Sequence, residues 1–366
     1  ATSEKETSYG ANLEYNFNLS SLISGKLKLG FKSRKKTRDH DQDYEYSTFT
    51  YVAVQDKRDS TYQHFDWLNN ISEGTIYPPY WSFMDKGYDD SNFLNGNYVL
   101  GPFADLNKMN DIFKFFRQNY TYDPYHEFIM HHFHKTQSLI YDYSGKEQYN
   151  AAYLMSDLNI GQKLNVVTGL RVEKNKTTYQ SYHGMQTTLP HFNSMGSDTV
   201  SYHTRRNSFN LPSVFIKYDM TSWLSVRYAN TKTLTRPDYS DIIPLYNIQG
   251  DASSVIYRNP FLEPGISKNN DYVLTLYQDK LGLLSFSYFT KKIDDLIYSS
   301  GRRFITDPSD YDLPHYTEKY QIRDYKTNNP YGVSLKGFEI DYQTRFWYLP
   351  EILRGLVFNA NYTRTT

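Results

Sequence analysis

YGANLEYNFNLSSLISGKLKLGF, residues 9–31, is the stretch that decides the fold. Tyr9, Ala11, Leu13, Tyr15 and Phe17 alternate with polar residues, and after a turn Leu27, Leu29 and Phe31 alternate with Lys26, Lys28 and Gly30. Successive side chains of a strand point to opposite faces, so this is an amphipathic β-hairpin with one apolar and one wet face. The pattern recurs along the chain with short turns at one end of the hairpins and long connections at the other. That asymmetry predicts an all-β, transmembrane antiparallel β-barrel with short periplasmic turns and long extracellular loops.

Composition agrees. The 366 residues include 37 Tyr, 22 Phe and 4 Trp, an aromatic share of 17%, while the mean hydropathy is -0.70. A barrel needs aromatic girdles at both lipid interfaces and a wet lumen, which reconciles the two values. No apolar run approaches the roughly 20 residues of a membrane helix, so a bilayer can be crossed only by strands. Lys+Arg and Asp+Glu balance at 40 each, which argues against a general nucleic-acid binder. The chain has no cysteine, which excludes disulfides and thiolate metal sites and fits an oxidising envelope compartment.

The pattern resolves into about five hairpins. The first runs from Tyr9 to Phe17, turns at Asn18 to Ser24, and returns from Lys26 to Thr37. A long insertion from Asp39 to Gly145 follows. The second uses Tyr149 to Leu158, a turn at Gly161 and Gln162, and Leu164 to Thr178. A loop holding His183, Pro190 and Gly196 leads to the third, where Val214, Ile216 and Tyr218 face Leu224, Val226 and Tyr228. The fourth pairs Tyr272, Leu274 and Leu276 with Leu284, Phe286 and Tyr288, and the fifth sets Phe338, Ile340, Tyr342 and Phe346 against Leu356, Phe358, Ala360 and Tyr362. Turns at one end take a few residues, and the opposite connections are long enough to be functional or disordered.

Several segments carry a family resemblance: Leu211-Pro212-Ser213 to Tyr218-Asp219, Lys232-Thr233-Leu234-Thr235-Arg236-Pro237-Asp238-Tyr239, Asn259-Pro260-Phe261-Leu262-Glu263-Pro264, and Gly337-Phe338-Glu339-Ile340-Asp341-Tyr342 with Leu349-Pro350 and Asn359-Ala360-Asn361-Tyr362. Together they resemble the barrel of TonB-dependent outer-membrane receptors. Physically, Arg-Pro ends a strand, and the Asn-Pro and Glu-Pro elements fix turns before the next one. The resemblance is strong in the second half of the chain, rests on pattern in the first hairpin, and hardly touches the long insertion. It implies a barrel of 22 strands around a plug, whereas about ten strands are counted here. No plug, coupling box or signal peptide precedes the first strand, and the closing aromatic is missing after Tyr362. Raw sheet edges are not tolerated in lipid. The expectation is therefore that residues 1–366 are one internal segment of an outer-membrane barrel, with an extracellular insertion at 39–145.

Nothing assembles an enzyme. His126-Glu127 with His131 misses the two-histidine zinc spacing by one residue, which takes the second imidazole off a shared helical face. His132 and His134 complete a cluster that could bind a transition metal opportunistically, and the plainer reading is a solvated or partly packed loop. No resident metal or cofactor is expected. His183, His191 and His203 share a serine-rich loop, but no spacing selects a nucleophile and base.

Two binding candidates emerge. If Leu27, Leu29 and Phe31 face lipid, Lys26, Lys28, Lys32, Arg34, Lys36 and Arg38 form one basic column on the lumen face. Pairing about the turn sets Glu14 near Gly30 and Glu6 near Arg38, leaving the middle of the column without an opposite charge from that neighbour. Lys32, Arg34 and Lys36 then either draw an anionic ligand by focusing the field or meet plug carboxylates, with Lys35 and its neighbours turned toward lipopolysaccharide phosphates. In the insertion Tyr77, Pro78, Pro79, Tyr80, Trp81 and Phe83 precede Asp85, Asp89 and Asp90. Such a patch suits a sugar or peptide, or packs upon itself.

The resemblance implies active import of a scarce nutrient, a ferric chelate, glycan or similar cargo, driven by the TonB machinery through a plug. It also implies lipopolysaccharide around the barrel and, as in glycan-type members, a surface lipoprotein that lids the mouth. A passive porin or structural barrel is the alternative from another class. A soluble sugar-binding β-sandwich is a third, disfavoured by the loop asymmetry.

Overall fold

The computed structural model describes residues 1–43, 45–47, 55–68, 78–88, 91–98, 101, 103–119, 131–133, 138–139, 141–186, 199–249, 253–323 and 325–366. Its main sheet has 14 strands, of which ten are long. These are β1 (Thr2–Ser20), β2 (Ile23–His40), β3 (Tyr143–Ile160), β4 (Leu164–Gln186), β5 (Thr199–Asp219), β6 (Leu224–Thr235), β7 (Gly265–Gln278), β8 (Gly282–Asp294), β9 (Val333–Arg345) and β10 (Val357–Thr365). Each pairs antiparallel with the next in chain order. The sheet is the meander that the hairpin pattern predicts.

Register decides the faces. Leu13, Leu29, Leu154 and Leu170 form one row across β1 to β4. Tyr218, Val226, Leu274, Phe286, Ile340 and Tyr362 form another across β5 to β10. Leu13 is 62% exposed and Phe286 45%, and an apolar band of this extent belongs against hydrocarbon, not water. The opposite face is polar: Ser287, Glu339 and Thr363 share a row, and the Asn361 amide donates to Glu339 at 2.7 Å. Gly30 is required on that face. A Cβ there would collide with Asn12 and the ring of Tyr153, which crosses it so that its hydroxyl donates to Asn12 Oδ1 at 2.9 Å.

The first hairpin corrects the expected pairing by two residues. The turn is confined to Ser21 and Leu22, with an irregularity between Asn18 and Ser20, so Glu14 opposes Lys28, Glu6 opposes Lys36 and Glu4 opposes Arg38. A two-residue shift preserves faces and changes every partner. β4 and β5 also run past their expected limits at Thr178 and Val214, so His183 and His203 lie on strands instead of in a loop. Apolar alternation stops where lipid stops, but backbone pairing continues beyond it. His191 lies outside the described residues. The last short-end connection, 346–356, is longer than expected and holds a helical turn, Glu351–Gly355. It is tied to its neighbour by Trp347 Nε1 donating to Lys280 O at 2.9 Å.

The long connections have their own cores. In the insertion, α1 (Gln55–His64) and α2 (Leu106–Asn119) bury Tyr62, Leu68, Ile112 and Phe116 together, and Ile112 and Phe116 share one face of α2 at i, i+4. The β6–β7 and β8–β9 connections jointly build a cap. Within it Tyr246–Gln249 pairs antiparallel with Ser254–Tyr257 and parallel with the end of β4. Gln321–Arg323 then pairs parallel with residues 254–256. Ile248, Val255, Tyr257, Ile305, Ile322 and Tyr325 fill this small core.

Replacing Leu29 or Phe286 with arginine is expected to cost about 2 to 4 kcal/mol if each lies near mid-bilayer. Refolding from detergent into lipid vesicles measures this. Equal tolerance of arginine and leucine at both positions contradicts the assignment of faces.

Candidate functional site

The polar face at the long-loop end brings together residues from five strands. The Glu173 carboxylate of β4 is buried. It accepts from Arg171 Nε at 2.6 Å, from the Tyr149 hydroxyl at 2.6 Å and from Arg236 Nη2. Arg171 Nη2 also donates to the Tyr149 hydroxyl at 2.7 Å. The guanidiniums of Arg34 and Arg236 each stand 5.3 Å from the Tyr149 ring centroid, where the ring quadrupole attracts a cation. One carboxylate and one tyrosine thus gather three arginines that would otherwise repel.

Next to this knot, Arg34 lies 3.9 Å from Glu147, which also accepts from the buried Tyr179 hydroxyl. The Tyr179 ring covers Gly145, where any Cβ would clash with it. On β5, Arg205 approaches Glu263 at 3.4 Å and Asn207 Nδ2 donates to the same carboxylate at 3.0 Å. The Asn259-to-Pro264 run is therefore a strap latched to the wall. Asn259 Oδ1 accepts from Phe261 N at 3.0 Å, its amide donates to Lys326 O at 3.1 Å, and Leu262 is fully buried beside Tyr179, Ile242 and Ile243.

The ends of the basic column find acids on β1, while Lys32 and Arg34 in its middle have none on that strand. Glu14 meets Lys28 at 2.6 Å and Lys26 at 3.5 Å. Glu4 meets Lys36 at 2.5 Å and Arg38 at 2.9 Å, while Arg38 also lies 3.9 Å over the Tyr239 ring. Lys32 opposes Gly10 and Ala151, is exposed, and forms no ion pair with a described residue. Arg34 joins the knot, Lys36 joins Glu4, and Lys32 stays exposed without an ion pair among the described residues.

The aromatic patch divides. Tyr80 and Trp81 begin a helical turn, Tyr80–Phe83, and are 57% and 69% exposed, whereas Phe83 packs on Trp67 with centroids 5.1 Å apart. Tyr77 lies outside the described residues, as do His126, Glu127 and His134.

Sequence reading missed the cap and its small cavity. His183 stacks on Tyr246 at 3.9 Å, and both line a space of about 70 Å³ with Tyr202, His203, Arg258 and Asp312. Burial pushes the His183 imidazole below its ordinary value, and it pushes the Tyr257 hydroxyl up. The Tyr246–Gln249 alternation was the available signal, but its partners come from a distant loop.

Glu173→Ala leaves Arg171 and Arg236 facing each other beside Tyr149. With both arginines partly solvated, a loss of about 2 to 3 kcal/mol is expected, read as a shift of the urea midpoint in vesicles. Glu173→Gln is expected to lose less. An unchanged midpoint for both variants would mean that the knot does not hold the wall.

The solved structures that the chain matches are distant in sequence. The ferric-catecholate import receptor Fiu from E. coli is 12% identical with a TM-score of 0.47, the match covering 94% of this chain and 36% of that one. The ferric enterobactin receptor PfeA of Pseudomonas aeruginosa is 9% identical with a TM-score of 0.45, covering 94% and 34%. The copper transporter OprC is 10% identical with a TM-score of 0.44, covering 93% and 36%. The chain thus spans little more than a third of the length of these proteins. Among curated protein sequences none matches. The family model "TonB dependent receptor-like, beta-barrel" matches residues 2–366. The chain therefore belongs to the β-barrel family of TonB-dependent receptors, and its strands lie in the bacterial outer membrane.

Proposed function

We propose that this chain forms the wall and mouth of a receptor that actively imports an anionic nutrient, a ferric chelate or an acidic glycan. The observation that carries this reading is the charge of the polar wall. Lys32, Arg34, Lys36, Arg38, Arg171, Arg205 and Arg236 face Glu4, Glu6, Glu147, Glu173 and Glu263, so cations exceed carboxylates at this end of the polar wall, and their summed field favours an anion. Lys32 and the partly exposed edge of Arg34 would meet the cargo. Lys36 would hold Glu4.

In this reading residues 39–145 lie outside the cell over the mouth, and Tyr80 and Trp81 offer aromatic faces to the arriving ligand. TonB supplies the energy by pulling on a plug within the complete barrel. Lipopolysaccharide and a surface lipoprotein are the proposed neighbours at the outer rim. The wall is prearranged, because its arginines are fixed by Glu147, Glu173 and Tyr149 before any ligand arrives.

Two experiments test the reading. Lys32→Gln is expected to slow uptake of an anionic chelate most at low ionic strength, because the Debye length shrinks to about 10 Å at 0.1 M. Stability should be unchanged, and uptake equal to wild type at every salt concentration removes Lys32 from the ligand path. Protease added to intact cells is expected to cut within 39–145 before it reaches 21–22, 161–163 or 279–281. Cutting at those turns first inverts the topology.

A further inference from the structure

Arg205, on the polar face of β5, is 8% exposed, and its buried Nη2 forms no hydrogen bond to a described residue. Glu263 Oε2 lies 3.4 Å from that nitrogen without the alignment of a hydrogen bond. A buried donor left unsatisfied carries its full desolvation cost, more so when it belongs to a cation. The position therefore calls for an acceptor from outside the chain.

The cavity beside Arg205 is lined to hold one. It measures about 70 Å³ and is bounded by Glu147 of β3, Asn175 and Thr177 of β4, Asn207 of β5 and Arg236 beyond β6, with Pro264 bringing in the strap. Arg236 gives Nη2 to Glu173 and makes no other hydrogen bond to a described residue. The Asn175 amide and the Thr177 hydroxyl make none, and Thr177 is 7% exposed. Asn207 donates to Glu263 at 3.0 Å and keeps its second amide hydrogen. Glu147 is the one carboxylate in the lining, and its oxygens already meet the Tyr179 hydroxyl and Arg34.

Charge and volume decide which acceptor fits. The guanidiniums of Arg34, Arg171, Arg205 and Arg236 share the carboxylates of Glu147, Glu173 and Glu263, which leaves an excess of one positive charge. Nearby acids do not cancel it: Asp241 is held by Lys326 at 2.7 Å, the exposed Asp238 pairs with none of the four, and Glu4 and Glu6 serve Lys36 and Arg38. Water would leave the excess in place and a dianion would overshoot it. A chelate or glycan needs far more room, since small-molecule sites run to about 300 Å³ or more. From the buried free Nη2, the donor lining and the single excess charge, we infer that the cavity between β4, β5 and the strap is a site for a compact monovalent inorganic anion of the halide class, held by Arg205 and Arg236. This site is separate from the cargo path at Lys32 and holds its ion whatever the cargo is. The anion ties Arg205 to the Arg-Pro corner and fixes it where Glu263 and the strap rest, so its occupancy steadies the segment that carries the cap.

The test uses the complete receptor in detergent, with crystals soaked in sodium bromide and, in solution, chloride titrated against gluconate at constant ionic strength. Wild type is expected to show an anomalous bromine peak in contact with Arg205 Nη2, and a thermal midpoint that rises with chloride and saturates. Asn175→Asp sets a fixed carboxylate in the cavity and cancels the excess charge, so it should lose the peak and keep one midpoint at every chloride concentration. Arg205→Gln should raise the half-saturating chloride concentration about tenfold or more, through loss of a charge-assisted hydrogen bond. Lys232→Gln, on the opposite face of β6, should titrate as wild type does. Should Arg205→Gln fail to fold, the comparison of wild type with Asn175→Asp decides. A cavity holding only water in the bromide soak, a peak that persists in Asn175→Asp, or a midpoint whose response to chloride is the same in wild type and Asn175→Asp each overturns the site.

Discussion

Hydrocarbon offers no partner to a backbone N–H or C=O, so each strand that enters it must find its bonds in the next strand. The rest of the molecule depends on that constraint. Antiparallel pairing in chain order satisfies the amides, and the pairing fixes which residues stand side by side. A slip of one residue would turn Leu13, Leu29 and Leu154 inward and drive Lys28, Arg34 and Glu147 into lipid. The face pattern is therefore strongly specified, while the choice among registers of equal parity falls to the turns and to charge pairing. Glu14 with Lys28 and Glu4 with Lys36 and Arg38 favour the register observed.

The same ladders assemble the polar wall from residues far apart in sequence. Glu173 on β4 collects Arg171 from its own strand, Tyr149 from β3 and Arg236 from just past the end of β6. Glu263, after the Asn-Pro turn, reaches back to Arg205 and Asn207 on β5. The Arg-Pro and Asn-Pro segments that mark the family thus have a physical task here. Arg-Pro ends a strand with its guanidinium turned to a buried carboxylate, and the strap from Asn259 to Pro264 closes over the wall and carries the cap.

Much of this was legible in the sequence, and what was not has identifiable causes. Alternation located all ten long strands, and Leu13, Tyr15, Leu29, Val166, Val214, Leu224, Leu274, Phe286, Ile340 and Phe358 all fall on one face. Parity also placed Lys32, Arg34 and Lys36 correctly on the other. The pairing of Lys36 with Glu4 was missed because the first turn was drawn too wide, and a turn error of two residues leaves no trace in hydrophobic pattern; Glu147, which meets Arg34, comes from β3 across the long insertion. The extension of β4 and β5 beyond the lipid was hidden for the opposite reason: both faces there are polar, so period two vanishes although pairing persists. The cap joins the β6–β7 and β8–β9 connections through parallel pairs between residues 254–256 and 321–323, and local sequence does not encode such a non-local match.

The account stands on the division of faces, and a spin-label scan of β8 tests it most directly. Single cysteines at Leu284, Ser285, Phe286, Ser287 and Tyr288, labelled and reconstituted, report collision with oxygen, which concentrates in hydrocarbon, and with a polar nickel chelate, which does not. The account predicts a period of two, with 284, 286 and 288 favouring oxygen and 285 and 287 shielded from it. A monotonic gradient along the five positions, or oxygen maxima at 285 and 287, would contradict it.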